Sequence, residues 1–178
     1  MYRGALSILL LILGITGQSA LAGSGTGGSE GKAGNGEAKI LEANLLKPNG
    51  GIERLSDHRG QRLLLDLWAT WCLPCKEQSE VVQGLTPELR FYGVQVFAVN
   101  VGQGPRLVQD YLSRNPLPQT VLMDRGQQIP RQLGLEGLPA LVLVEKDGTV
   151  VGVRAGLVSR EDLKAWLEET WGPRPQAR

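Results

Sequence analysis

Two cysteines separated by two residues constrain the possible folds of this chain more than any other feature. Cys72 and Cys75 are the only cysteines in its 178 residues. The apolar run at residues 63–68 predicts a buried strand before them, and the spacing of apolar residues over 76–89 predicts a helix after them. Cys72 then falls at a helix N-terminus, where unpaired amide groups and the helix dipole favour a thiolate. We therefore expect an exposed, reactive Cys72, with Cys75 one turn further in and within disulfide-bonding distance.

Three kinds of chemistry could use this pair. A zinc site needs three or four ligands, yet the chain has no second cysteine pair and a single histidine, His58. We interpret His58 as a solvated loop side chain outside the site. A disulfide kept only for stability would span a longer loop, because the loop-entropy relation gives so short a loop about 2 kcal/mol and a 100-residue loop about 4.7 kcal/mol. Redox chemistry is the favoured interpretation, and we expect no metal and no cofactor.

The N-terminal part of the chain predicts export. Residues 1–22 contain Arg3, an apolar run over 5–16 and the small-x-small pattern of Ala20 and Ala22, which together are typical of a signal peptide. An uncleaved membrane anchor is the alternative. Residues 23–38 predict a Gly/Ser-rich linker, 39–172 a single domain and 173–178 a C-terminal tail. We expect an extracytoplasmic domain in the periplasm, soluble after signal cleavage or tethered by the anchor.

The charge balance does not favour nucleic acid or an anionic membrane as a partner. Without residues 1–22, the chain has 18 basic and 18 acidic residues and a formal net charge of zero, with no basic block. This composition gives no reason to expect nucleic acid or an anionic membrane as a partner. In an oxidising compartment a spare dithiol would normally become a cross-link, so a lone Cys-x-x-Cys there indicates a catalyst.

The succession of elements predicts an α/β fold. Short strands over 40–46 and 52–55 form a hairpin, and the strand at 63–68 is linked through the helix to a parallel strand at 94–99. Pro105 begins a helix that ends at Ser113, followed by a strand at 119–123 and a short helix at 127–133. Strands at 140–145 and 149–154 form an antiparallel pair, and Ser159 caps a last helix that ends near Trp171. The result is a central mixed sheet with helices on both faces.

Residues 66–76 (DLWATWCLPCK) resemble the active-site segment of thioredoxin. The export signal, the N-terminal hairpin, the AVNVG stretch at 98–102 and an inserted helix near 105–114 are similar to the TlpA/ResA family of extracytoplasmic thiol–disulfide oxidoreductases. The resemblance covers about residues 39–172 and implies the thioredoxin fold, with an N-terminal hairpin and an inserted helix.

The resemblance also implies roles for individual residues. Cys72 would attack a substrate disulfide as a thiolate, and Cys75 would resolve the mixed disulfide. A cis bond would precede Pro139, which would stack over the pair, and the Leu138 backbone would receive an extended substrate segment as an added strand. Trp71 would form an apolar rim shielding Cys72. The substrate-binding residues we expect are Trp71, Pro74, Leu138 and Pro139.

Asp66 is the third catalytic candidate. A carboxyl group within an apolar strand is costly unless it is paired or protonated, and burial raises its pKa. Asp66 occupies the thioredoxin position of a buried acid, which implies that it exchanges a proton with Cys75; a structural, hydrogen-bonded aspartate is the alternative. Many family members carry a glutamate three residues beyond the second cysteine, where this chain has Gln78. The neighbouring Glu77 is turned by about 100° and should face solvent.

We therefore expect an enzyme that reduces protein disulfides. The resemblance suggests as substrates the haem-attachment cysteines of apocytochromes c, in cytochrome c biogenesis, or the cysteines of a copper site during oxidase assembly. Electrons would come from a membrane thiol reductant of the CcdA/DsbD type, and we expect a monomer. Two alternatives are a disulfide oxidant with the same site and a copper-binding chaperone, for which Met123 and His58 are poorly placed third ligands. A third alternative, which the intact cysteines disfavour, is a non-catalytic peptide-binding domain.

Overall fold

The computed structural model describes residues 40–173. The predicted signal peptide, the linker and all but the first residue of the predicted tail lie outside this range. Its strands are β1 (Asn44–Leu46), β2 (Ile52–Arg54), β3 (Arg62–Trp68), β4 (Val94–Val101), β5 (Thr120–Asp124), β6 (Ala140–Val144) and β7 (Val150–Ala155). Its α-helices are α1 (Leu73–Gly84), α2 (Thr86–Phe91), α3 (Pro105–Leu112), α4 (Gln128–Leu133) and α5 (Arg160–Trp171).

Within the described range the strands form one mixed sheet in the order β2-β1-β5-β4-β3-β6-β7. The strand before the cysteines, β3, is central: it is parallel to β4 and antiparallel to β6. β4 is also parallel to β5, whereas β6 and β7 are antiparallel, and β1 pairs antiparallel with β2 and β5. The predicted α/β class and mixed sheet are confirmed. No helix in residues 40–173 is both long and apolar enough to cross a membrane.

Both faces of the sheet are buried at β3, which explains the continuous apolar character of this strand. Because side chains alternate along a strand, the odd-numbered leucines of β3 pack into one hydrophobic cluster, and Leu64 packs into a second cluster formed with α1, α2 and α5. Asp66 lies between Leu64 and Trp68 in this alternation, on the side of β3 that faces α1. The strand register therefore turns the carboxyl group towards the helix that follows the cysteines.

The predicted helix over 76–89 is wrong in its extent. α1 already begins at Leu73 and ends at Gly84, and α2 begins at Thr86. Leu85 between them has φ −101° and ψ 14°, outside the helical range. The break has a visible cause, since Pro87 has no amide hydrogen to continue α1 but fits the first turn of a new helix. The predicted apolar face persists across the break, because Val82, Leu85 and Leu89 are all buried.

The interpretation of His58 as a solvated loop residue is also wrong. His58 ends a short 3-10 helix, Leu55–His58, and its side chain is only 14% exposed. Nε2 lies 2.7 Å from Glu53 Oε1, and the ring packs edge-on against Phe97 with 4.8 Å between centroids. Phe97 pairs in register with Leu65, so this contact lies on the face of the sheet opposite α1. The predicted first strand is likewise shorter, since Ile40–Glu42 is a 3-10 turn.

Candidate active site

The cysteine pair lies at the start of α1. Cys72 is the N-cap residue, with extended backbone angles, and forms a disulfide with Cys75 across a Cα–Cα distance of 5.3 Å. Pro74 occupies the first turn of α1, where a missing amide hydrogen costs nothing, and no acidic residue is present in that turn. Cys72 is therefore next to unpaired helical amides and the positive end of the helix dipole, which favour its thiolate when the disulfide is reduced.

Cys72 is less accessible than the sequence predicts. In the disulfide form Cys72 is 7% exposed and Cys75 is 3% exposed. Both pack in a cluster with apolar side chains from β3, β4, α3 and β5. The disulfide holds the sulfur of the outer cysteine against the inner one within this cluster. The flanking Trp71 and Leu73 are by contrast 72% and 83% exposed, so the surface beside the pair is apolar and open.

The segment before β6 approaches the same site. The Leu138–Pro139 bond is cis, as the resemblance implies. Because Leu67 pairs with Ala140, Pro139 comes next to the end of β3, where the cysteine loop begins. Leu138 packs against the cluster that contains both cysteines. The structure thus brings Leu138 and Pro139 to the cysteines, while Pro74 and Trp71 are exposed at the start of α1.

Asp66 is completely buried beneath α1. Burial raises its pKa from 3.8 to about 7, although a hydrogen bond from Ser79 opposes the rise. Ser79 Oγ donates to Asp66 Oδ2 over 2.9 Å, and Oδ1 has no hydrogen-bond partner among the described residues. Cys75 and Ser79 are four residues apart and therefore lie on the same face of α1. Asp66 consequently lies under the helix face that carries the inner cysteine.

Gln78 is buried, and its side-chain amide binds the backbone of a distant loop. Its Oε1 accepts a hydrogen bond from the Val158 amide over 2.7 Å, and its Nε2 donates to the Val158 carbonyl over 3.4 Å. A carboxylate could accept the first bond but could not donate the second. The amide therefore ties α1 to the loop before α5 in a way that a glutamate would not. Glu77 is exposed, as predicted.

Gln103, which is not among the predicted site residues, supports the loop that carries the cysteines. Gln103 Oε1 accepts hydrogen bonds from the Thr70 amide and from Asn100 Nδ2, and Gln103 Nε2 donates to Thr70 Oγ1, each over 2.8 Å. Asn100 is fully buried at the end of β4. Two of these bonds hold the turn before Trp71, and the third ties Gln103 to Asn100. The available signal was a polar residue within an apolar strand, followed by a Gly-Gln-Gly turn.

A cavity of about 180 Å³ opens beside Cys75. It lies between α1 and the loop that connects α3 to β5, and its lining includes Trp68, Cys75, Ser79, Tyr111 and Leu117. Met123, which the sequence does not place near the cysteines, is buried in the cluster that contains them. Among residues 40–173 no group of three or more His, Cys, Asp or Glu side chains could hold a metal ion.

Residues 37–153 match the family model of the AhpC/TSA family, which is more than half of the chain. The chain belongs to this family. Among curated relatives, the thiol–disulfide oxidoreductase ResA of Geobacillus thermodenitrificans is 32% identical over 161 residues, which cover 90% of this chain and 91% of that protein. ResA of Bacillus subtilis is 29% identical over 164 residues, covering 92% of this chain and 88% of that one.

Solved structures of similar proteins support the same fold. A protein from Chlorobium tepidum, described as a thiol:disulfide interchange protein DsbE, has a TM-score of 0.61 and 30% identity, covering 72% of this chain and 89% of that one. DsbF of Mycobacterium tuberculosis has a TM-score of 0.64 at 20% identity, covering 76% and 99%, and shares the fold. The resemblance to the TlpA/ResA branch and the thioredoxin fold are confirmed. The protein is a thiol–disulfide oxidoreductase of the ResA/DsbE type that contains the Cys72–Cys75 pair.

Proposed function

We propose that this oxidoreductase works as a reductant of protein disulfides outside the cytoplasm. The observation that carries the proposal is the position of the Cys72–Cys75 pair at the N-terminus of α1, above the buried Asp66. A dithiol becomes a stronger oxidant when its reduced, thiolate form is stabilised. The helix N-terminus supplies such stabilisation, but a carboxyl group with a pKa of about 7 opposes further negative charge nearby. Stabilisation of the reduced, thiolate form is therefore limited, and this favours a cysteine pair that acts as a reductant.

The proposed reaction has two exchange steps. Cys72 thiolate attacks one sulfur of the substrate disulfide, a mixed disulfide forms, and the other substrate sulfur leaves as a thiolate. Cys75 then gives its proton to Asp66 and attacks the Cys72 sulfur, which releases the second substrate thiolate and closes the protein disulfide. The two substrate thiolates take protons from solvent. Two electrons pass from the protein dithiol to the substrate.

The exposed surface around the pair suits a protein substrate. Trp71 and Leu73 offer an open apolar surface beside Cys72, and Pro74 is exposed in the first turn of α1. The cis Leu138–Pro139 segment lies next to the end of β3. In this proposal an extended substrate segment pairs with the Leu138 backbone and presents its disulfide to Cys72.

The biological setting is part of the same proposal. Similarity to ResA and DsbE supports an extracytoplasmic, periplasmic enzyme, with residues 1–22 as signal peptide or anchor. The substrates we propose are cysteines of apocytochromes c or of an oxidase copper site, with a membrane thiol reductant of the CcdA/DsbD type as electron donor. The protein would act as a monomer and would bind neither nucleic acid nor a cofactor.

The reduction potential tests the direction of the reaction. We expect a value near that of thioredoxin, about −270 mV, together with reduction of insulin disulfides that is lost in Cys72→Ser. A value near that of DsbA, about −120 mV, would contradict the reductant role and favour an oxidant. Stoichiometric copper binding by the reduced protein without disulfide reductase activity would instead support a chaperone.

A further inference from the structure

A buried hydroxyl group links the carboxyl group of Asp66 to α1. Ser79 is 7% exposed and lies one helical turn beyond Cys75. Its Oγ donates the 2.9 Å hydrogen bond to Asp66 Oδ2. The other carboxyl oxygen, Oδ1, has no hydrogen-bond partner in the part of the chain that the structure describes. Among the described residues the hydroxyl group of Ser79 is therefore the one hydrogen-bonding partner of this carboxyl group, and a proton on Oδ2 can pass through it.

Ser79 also reaches the cavity beside Cys75, whose volume of about 180 Å³ is sufficient for several water molecules. Cys75 and Ser79 both line this cavity, whereas Asp66 is fully buried and does not. Ser79 is thus the side chain that contacts the carboxyl group on one side and the cavity on the other. A serine hydroxyl can donate to an ionised carboxylate and accept from a protonated one, so the contact can persist in both states.

The groups around Asp66 leave few other means of controlling its proton. Its neighbours in register on β4 and β6 are Ala98 and Leu141, which do not titrate. From α1, only Ser79 forms a side-chain hydrogen bond to it in the described structure. The other ionisable side chains that line the cavity are Lys76 and Glu80 of α1, both exposed, and Tyr111 of α3.

We propose that Ser79 is a positioning residue, which holds Asp66 for proton exchange with Cys75 and connects its carboxyl group to solvent in the cavity. The inference rests on the proposed role of Asp66 in the second exchange step. After Cys75 gives its proton to Asp66, the hydroxyl group of Ser79 provides the path by which that proton leaves for solvent. The hydroxyl accepts the proton of the acid and donates its own to cavity water, so no charge accumulates on the serine.

Titration of Asp66 by carbon NMR in the oxidised full chain tests the contact without requiring redox turnover. Ser79→Ala removes a hydrogen-bond donor to the charged carboxylate, so the midpoint of the Asp66 titration should rise by about one pH unit. Alanine is a strong helix former, so α1 should remain intact. Ser79→Thr keeps the hydroxyl group and should restore the wild-type midpoint. Gln83→Ala is the matched control, because Gln83 lines the same cavity and is exposed. An unchanged midpoint in Ser79→Ala would overturn the inference.

The pH profile of insulin disulfide reduction separates this inference from the proposed function. The profile of Ser79→Ala should shift upward with the Asp66 midpoint, and Ser79→Thr should return it. A profile that stays in place while the midpoint moves would overturn the positioning role. A wild-type protein without disulfide reductase activity would overturn the proposed function itself, whereas an active wild type with an unshifted Ser79→Ala titration would overturn only the inference.

Discussion

Replacing Asp66 with asparagine should flatten the dependence of stability on pH above about pH 4. Burial raises the pKa of Asp66 from 3.8 to about 7 in the folded protein. Between these values the folded state holds a proton that the unfolded state has lost, so stability falls as the pH rises. A difference of about three pH units, at 1.36 kcal/mol per unit, corresponds to about 4 kcal/mol of unfolding free energy lost by the time the pH exceeds 7.

Guanidinium unfolding of the oxidised protein between about pH 4 and pH 9 measures this loss. The wild-type unfolding free energy should decrease up to about pH 7 and then level off, and that of Asp66→Asn should change much less. The asparagine amide falls where Oδ1 has no partner among the described residues, which costs about 1–3 kcal/mol at every pH. Because this cost is the same at every pH, it lowers the whole stability curve of Asp66→Asn and contributes nothing to the slope of that curve. Glu77→Gln, which removes an exposed carboxyl group, is the control and should keep the wild-type slope.

Equal slopes for wild type and Asp66→Asn would refute the reasoning, because they would show that Asp66 does not titrate between its unfolded value and about pH 7. The result would also remove the carboxyl group from the proton transfer proposed for Cys75. A slope that is lost in Asp66→Asn but also in Glu77→Gln would assign the effect to surface charge instead.

Two glutamines give further predictions. Gln78→Glu should lower the urea-unfolding free energy at pH 7 by about 1–3 kcal/mol, because a buried carboxylate cannot donate to the Val158 carbonyl; an unchanged midpoint would contradict the structural role of the amide. Gln103→Ala should slow the reaction of reduced Cys72 with a disulfide probe, because the Thr70 turn loses two hydrogen bonds; wild-type kinetics would show that this turn needs no support.

Local features of the sequence predicted the centre of the fold well. The apolar run of β3, Cys72 at a helix N-terminus and the Ser159 cap each depend on residues that are close in the chain, and all three are present. The helix break at Leu85 was also predictable, because Pro87 is visible in the sequence and stops a preceding helix. The apolar spacing continues across the break, because α1 and α2 both bury their apolar residues against the same face of the sheet. The spacing alone therefore predicts one continuous helix.

Contacts between distant segments could not be predicted in this way. The bond from Ser79 to Asp66 and the two bonds from Gln78 to Val158 depend on how α1 packs against β3 and the loop before α5. The residues that flank a polar side chain in the sequence do not indicate which distant residue will be its hydrogen-bond partner in the fold. His58 illustrates the same limit, because its ring packs against Phe97 on β4, which is far from it in the sequence.

Trapping of a mixed disulfide tests the central claim most directly. Cys75→Ser removes the resolving sulfur, so incubation of the reduced variant with a disulfide-containing protein should leave that protein covalently attached through Cys72. Mass spectrometry of the adduct after digestion identifies the attachment residue. The account predicts an adduct on Cys72 in Cys75→Ser and little or none on Cys75 in Cys72→Ser. Equal trapping by both variants, or none by Cys75→Ser, would contradict Cys72 as the attacking sulfur.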